Sequence, residues 1–165
     1  MANFVERISQ ICEQYEKVAI FIDVDGTLVE YPVLTTEEVG EIMQSDDYYT
    51  TKKPIPCMMQ VVRELTKIPN LDFFILSMSR NTKITESKKD WLSRYFSFIP
   101  EENWILLNKE TGGYSYSNRN MQKPLEILKK GYVHSILLDD DSAVLKEAKK
   151  FEGITPFHIS SALVE

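Results

Sequence analysis

The chain has 165 residues, is 43% hydrophobic and 11% aromatic, and carries a formal charge of -6. A chain of this length holds one core that buries roughly 70% of the unfolded surface, and the acidic balance argues against a nucleic-acid polymer as partner. Cys12 and Cys57 lack metal-ligand spacing and there are only two histidines, so the composition argues against zinc and for reduced thiols. No apolar run approaches the roughly 20 residues of a membrane span, and the N-terminal stretch lacks a basic region followed by an apolar one. The expectation is therefore a soluble, cytoplasmic protein of one domain, 1–165.

Phe4, Ile8, Ile11 and Tyr15 recur at helical spacing, which predicts an amphipathic helix over 3–17. VAIFIDV (18–24) is short and continuously apolar, the pattern of a strand covered on both faces. Residues 29–56 are too long for a connection of about 2 to 6 residues and are expected to form a small helical cap inserted after the first strand. Met58, Val61, Val62 and Leu65 then predict a helix, and LDFFILS (71–77) a second strand. Trp91, Leu92, Tyr95 and Phe96 predict a helix face packed in the core. Shorter strands follow at 103–107, 134–138 and 154–159. Helical patterns separate them, one carrying Leu125, Ile127 and Leu128, the other Val144, Leu145 and Ala148. Five strands alternating with helices predict an α/β fold with a parallel sheet, whose ligands sit beyond the carboxyl ends of the strands.

Asp23 and Asp25 fall at that edge, where the first strand meets its loop. Residues i and i+2 of a strand point the same way. Two carboxylates on one side of a buried edge repel unless a cation joins them or one is protonated, and Mg2+ satisfies that demand with oxygen ligands. Gly26 permits a sharp turn close to a ligand, and Thr27 offers a hydroxyl or a backbone donor there. Ser77 ends the second strand with a hydroxyl suited to a phosphate oxygen, with Ser79 as its rival in a shifted register. Asp139 and Asp140 follow the strand Ile136 to Leu138, and Asp141 or Ser142 is expected to cap the helix after them. Lys123 stands just before a helix, within reach of a phosphoryl group, with Lys109 as the alternative. Tyr48 and Tyr49 are expected either to stack on a nucleobase or to pack the cap on the body. His134 and His158 show no evident partner.

Asp-x-Asp-Gly-Thr at 23–27, an apolar strand ending in Ser77, then Lys123, then an apolar strand ending in Asp139-Asp140 resembles the four ordered motifs of the haloacid dehalogenase superfamily of phosphohydrolases. The likeness spans about residues 18–145 and implies a Rossmann-like sheet. It also implies that Asp23 is the nucleophile, forming an aspartyl phosphate, and Asp25 the general acid and base. Ser77 and Lys123, with Gly26 and Thr27, would hold the phosphoryl group. Mg2+ would be held by the Asp23 carboxylate, the Asp25 backbone carbonyl, Asp139 and Asp140. Within the superfamily, Lys88-x-x-Trp91-Leu92, DDYYTTKKPIP and LLDDDSAVL are similar to 5'-nucleotidases of the deoxyribonucleotidase type and their bacterial and phage relatives.

The resulting expectation is a Mg2+-dependent phosphomonoesterase acting on a small phosphorylated substrate such as a nucleoside monophosphate. The other readings are a phosphomutase, a phosphorylatable module resembling response-regulator receivers, and a binding protein on a retired hydrolase scaffold.

Overall fold

Every residue of β1 (Val18–Ile22) is buried, as a strand covered on both faces requires. The computed structural model describes residues 2–30, 37 and 49–163. β1 pairs in parallel with β2 (Leu71–Ser79) on one side and β4 (His134–Asp139) on the other. Outside these lie β3 (Trp104–Asn108) beside β2 and β5 (Ile154–His158) beside β4, again parallel, giving the order β3-β2-β1-β4-β5. The order reverses between β1 and β4, so the ligand crevice of this doubly wound α/β sheet opens past Ile22 and Asp139.

Alternation along β1 assigns the two layers. Val18, Ile20 and Ile22 pack with Phe4 and Ile8 of α1 (Phe4–Cys12), Met58, Val61 and Val62 of α2 (Pro56–Leu65), and Ile84, Trp91 and Leu92 of α3 (Thr82–Tyr95). Ala19 and Phe21 pack on the opposite face with Ile127 of α4 (Arg119–Lys129) and with Val144 and Ala148 of α5 (Ser142–Ala148). A last short helix, α6 (Ser160–Leu163), closes the first layer with Ala162. Among the described residues no helix is long and apolar enough to cross a membrane.

Several boundaries differ from the sequence reading. α1 ends at Cys12 rather than continuing to residue 17. The Asn70 side chain donates to the carbonyls of Cys12 and Tyr15, satisfying by tertiary contact the groups a longer helix would have used. β2 runs two residues beyond Ser77 because β3 continues to pair with it as far as Ser79. Of the apolar residues expected inward on α4, only Ile127 is buried, while Leu125 and Leu128 are exposed. The buried residues of α4 are Lys123, Pro124 and Ile127, with Lys123 and Ile127 one turn apart. Most of the expected cap at 29–56 lies outside the described residues, as does Tyr48.

Candidate active site

The crevice is a cavity of about 290 Å³ lined by Asp23, Asp25, Ser77, Met78, Arg119, Lys123, Asp139, Asp140, Asp141 and Val144. Four chain segments deliver these side chains. The β1 extension is tied to β4 by the Asp23 amide donating to the Leu138 carbonyl at 3.0 Å. Beyond it Val24 to Val29 form a tight turn in which the Gly26 amide donates to Val29 O and the Thr27 amide to Val24 O. Gly26 holds a φ of 76°, and a Cβ built there would lie 2.2 Å from the Asp140 carboxylate. The backbone N–H groups of Gly26 and Thr27 thus serve the turn. Thr27 is buried and its hydroxyl makes no hydrogen bond among the described residues.

Lys123 belongs to the second turn of α4 rather than preceding the helix. Its buried ammonium lies 2.6 Å from Asp139 Oδ2 and 3.1 Å from Asp23 Oδ1. Burial alone would lower the Lys123 pKa, but Asp23 and Asp139 outweigh it and hold the group well above its ordinary value. The ammonium is therefore charged at any physiological pH. Lys109 lies outside the cavity lining, with its ammonium 3.7 Å from the centre of the Tyr116 ring. Ser77 lines the cavity; Ser79, buried with no hydrogen-bond partner for its hydroxyl among the described residues, does not.

Asp139 is fully buried and bridges the site to α5: its Oδ1 accepts the Asp141 amide at 2.9 Å. Asp141 itself caps α5, accepting the amides of Ala143 and Val144, as the sequence suggested for a residue at this place. Burial pushes the Asp23 pKa up to about 6, with Asp139 and Asp25 adding to the rise and Lys123 opposing it. Asp140 is also raised to about 6, by burial and then by Asp23.

These carboxylates fit a divalent cation. Asp23, Asp139 and Asp140 each offer an oxygen within 4.8 Å of the others. The carboxylates Asp23, Asp25, Asp139 and Asp140 face two ammonium groups, Lys88 and Lys123, which leaves two negative charges. One hard dication matches that charge and an all-oxygen donor set.

The sequence reading gave three further residues no place in the site, or a different one. Lys88, quoted there only as part of a family likeness, is completely buried and donates to Asp25 Oδ2 at 2.8 Å, Ser77 Oγ at 2.9 Å and the Met78 carbonyl at 2.9 Å. Its signal was the spacing of Ile84, Lys88, Trp91 and Leu92, which puts a lysine on the core face of a helix. Tyr49 is buried, and its hydroxyl donates to Asp25 Oδ1. His158 accepts the Ser160 amide at Nδ1, which leaves Nε2 to donate to the Asp140 carbonyl at 3.0 Å. Nothing in the sequence paired His158 with Asp140, because β5 meets β4 only through the sheet register.

No family model matches the chain, and no curated protein matches it at significant similarity. Among solved structures, a chain of a Pnkp1/Rnl/Hen1 complex superposes with a TM-score of 0.61 at 18% identity, covering 86% of this chain and 45% of the other. A chain of a Pnkp1/Rnl/Hen1 RNA repair complex gives a TM-score of 0.55 at 19% identity, covering 86% and 42%. This chain thus spans less than half the length of either, and the likeness is one of fold.

Proposed function

We propose that the chain is a phosphomonoesterase of the haloacid dehalogenase type, requiring Mg2+ and working through an aspartyl phosphate on Asp23. The observation that carries this reading is the convergence of Asp23, Asp25, Ser77, Lys123, Asp139 and Asp140 on one cavity at the switch point of the sheet. Asp23, Asp139 and Asp140, with the Asp25 backbone carbonyl, would hold Mg2+, which offsets the charge of the phosphate dianion when bound.

Asp23 attacks phosphorus, and the bond to the ester oxygen breaks as Asp25 supplies a proton to that oxygen. Water then attacks the aspartyl phosphate, Asp25 takes a proton back, and phosphate leaves with Asp23 restored. Lys123 lies against the nucleophile and neutralises charge on the phosphoryl oxygens, while the Ser77 hydroxyl, held by Lys88, can donate its proton to one of them. The cavity matches a small phosphate ester, and we propose a nucleoside monophosphate as the substrate class.

The test is phosphate release from 5'- and 3'-nucleoside monophosphates, sugar phosphates, 4-nitrophenyl phosphate and oligonucleotides with terminal phosphates, with Mg2+ or EDTA. The oligonucleotides enter the panel because one structural neighbour is described as part of an RNA repair complex. The expected outcome is turnover that requires Mg2+ and is lost by at least about 1,000-fold in Asp23→Asn, roughly 4 kcal/mol of barrier. Release from no compound, or full activity of Asp23→Asn, sinks the proposal. Preference for an oligonucleotide terminus by more than about tenfold would replace the nucleotide as substrate.

A further inference from the structure

Asp25 is held at both oxygens by groups that neither give nor take a proton in the proposed chemistry. Lys88 donates to Oδ2 at 2.8 Å and Tyr49 to Oδ1. Both donors come from the core side: Lys88 is completely buried and Tyr49 nearly so. A carboxylate oxygen carries two lone pairs, so one donor on each still leaves one free on each oxygen. Asp25 remains 20% exposed and lines the cavity, so part of the carboxyl group stays open to it.

The two donors are themselves fixed by one helix. Trp91 Nε1 of α3 donates to the Lys52 carbonyl at 3.0 Å. Arg94 of the same helix donates to the carbonyls of Thr50 and Tyr49, both at 3.1 Å. Lys88, Trp91 and Arg94 are three residues apart, so neighbouring turns of α3 grip Asp25 and the backbone that carries Tyr49. A buried lysine is costly unless its charge is paired and its protons are placed. All three protons of Lys88 are placed, on Asp25, Ser77 and Met78.

We infer that Lys88 and Tyr49 are positioning residues that fix the plane of the Asp25 carboxyl, so that a proton carried on a lone pair they leave free points to the ester oxygen of the substrate. This inference rests on the phosphomonoesterase reading. It assigns α3 a role beyond packing, since the helix aligns the proton-transferring group through Lys88 and braces Tyr49 through Trp91 and Arg94.

The experiment compares two leaving groups in the full chain with Mg2+. An aryl phosphate such as 4-nitrophenyl phosphate expels a stable phenolate and needs little proton transfer, whereas an alkyl phosphate needs it fully. Lys88→Met also releases Ser77, so kcat/KM should fall for both esters, but on the order of 100-fold further for the fastest alkyl phosphate of the panel than for 4-nitrophenyl phosphate. Tyr49→Phe keeps the ring and removes only the hydroxyl, and it should show the same selectivity with about a tenfold loss on the alkyl ester. Should Lys88→Met fold poorly, Tyr49→Phe alone decides. Equal losses on both esters would mean a structural role and overturn the inference while leaving the phosphatase reading intact. A wild-type chain that releases phosphate from neither ester overturns both.

Discussion

Asp140 sits where burial and the charge of Asp23 act in the same direction and outweigh Lys123. Its pKa of about 6 lies above the usual carboxylate value because the side chain is partly desolvated and Asp23 is close. Between about pH 4 and 6 the folded chain therefore keeps a proton that the unfolded chain has released. Stability from this group is present below the unfolded pKa and is lost as pH rises through about 6. Glu110, lowered by its bonds to Thr82, and His134, lowered by burial, contribute with the opposite sign, and Asp23, raised to about 6 by burial, with the same sign, so a single pH curve would mix them. A difference against Asp140→Asn isolates what depends on Asp140. In EDTA, the variant should gain stability relative to wild type as pH rises from about 4 to 6, with a constant difference above about 7. Urea midpoints of the two chains at pH 4, 5, 6 and 7 check this, and a flat difference would show that Asp140 titrates normally.

At the scale of elements, the turn from Val24 to Val29 and helices α3 and α4 decide what reaches the crevice. Gly26 is the tightest point: its positive φ and the 2.2 Å approach of a built Cβ to Asp140 leave no room for a side chain. Gly26→Ala should displace the Asp140 carboxylate and strain the backbone, costing about 1–3 kcal/mol of stability, measured by urea unfolding. An unchanged midpoint would mean that the turn relaxes freely. This glycine was legible in the sequence because it follows Asp-x-Asp at a strand end. The start of α4 was not. A start at Pro124, whose missing N–H costs nothing in a first turn, would leave Lys123 just outside the helix. The chain instead begins the helix at Arg119, which sets Lys123 on the inward face above Asp23 and puts Arg119, four residues earlier, in the cavity lining beside Asp141. The place of Lys88 was not legible for a related reason. Its helix was recognised by Trp91, Leu92, Tyr95 and Phe96, and a lysine adds nothing to a count of apolar positions. Only the distance from Asp25, 63 residues away in sequence, shows why it is buried.

For the molecule as a whole, the five-stranded parallel sheet was legible because β1, β2 and β4 are written as apolar runs that end in acids or a serine. Which strands are neighbours was not legible, and the order places β1 between β2 and β4 so that Asp23 and Asp139 meet across the switch point. The meeting has an energetic consequence for the entire fold. Two excess negative charges are held at the carboxyl edge of the sheet by β1 and β4, which are joined along their whole paired length. A cation that binds this cluster binds only the folded chain, so it should stabilise all of it by mass action. At a Mg2+ concentration about 100 times the dissociation constant the gain is about 2.7 kcal/mol, rising by about 1.4 kcal/mol for each further tenfold. The gain should vanish in Asp139→Asn, which removes a buried carboxylate of the cluster, and persist in Asp25→Asn, where only a backbone carbonyl is assigned to the ion. Thermal unfolding across a Mg2+ series, with Ca2+ and NaCl at matched ionic strength, separates site binding from screening. A gain reproduced by NaCl, or one that survives Asp139→Asn, would place the cation elsewhere. The readout needs no substrate, so it tests the metal site independently of any turnover.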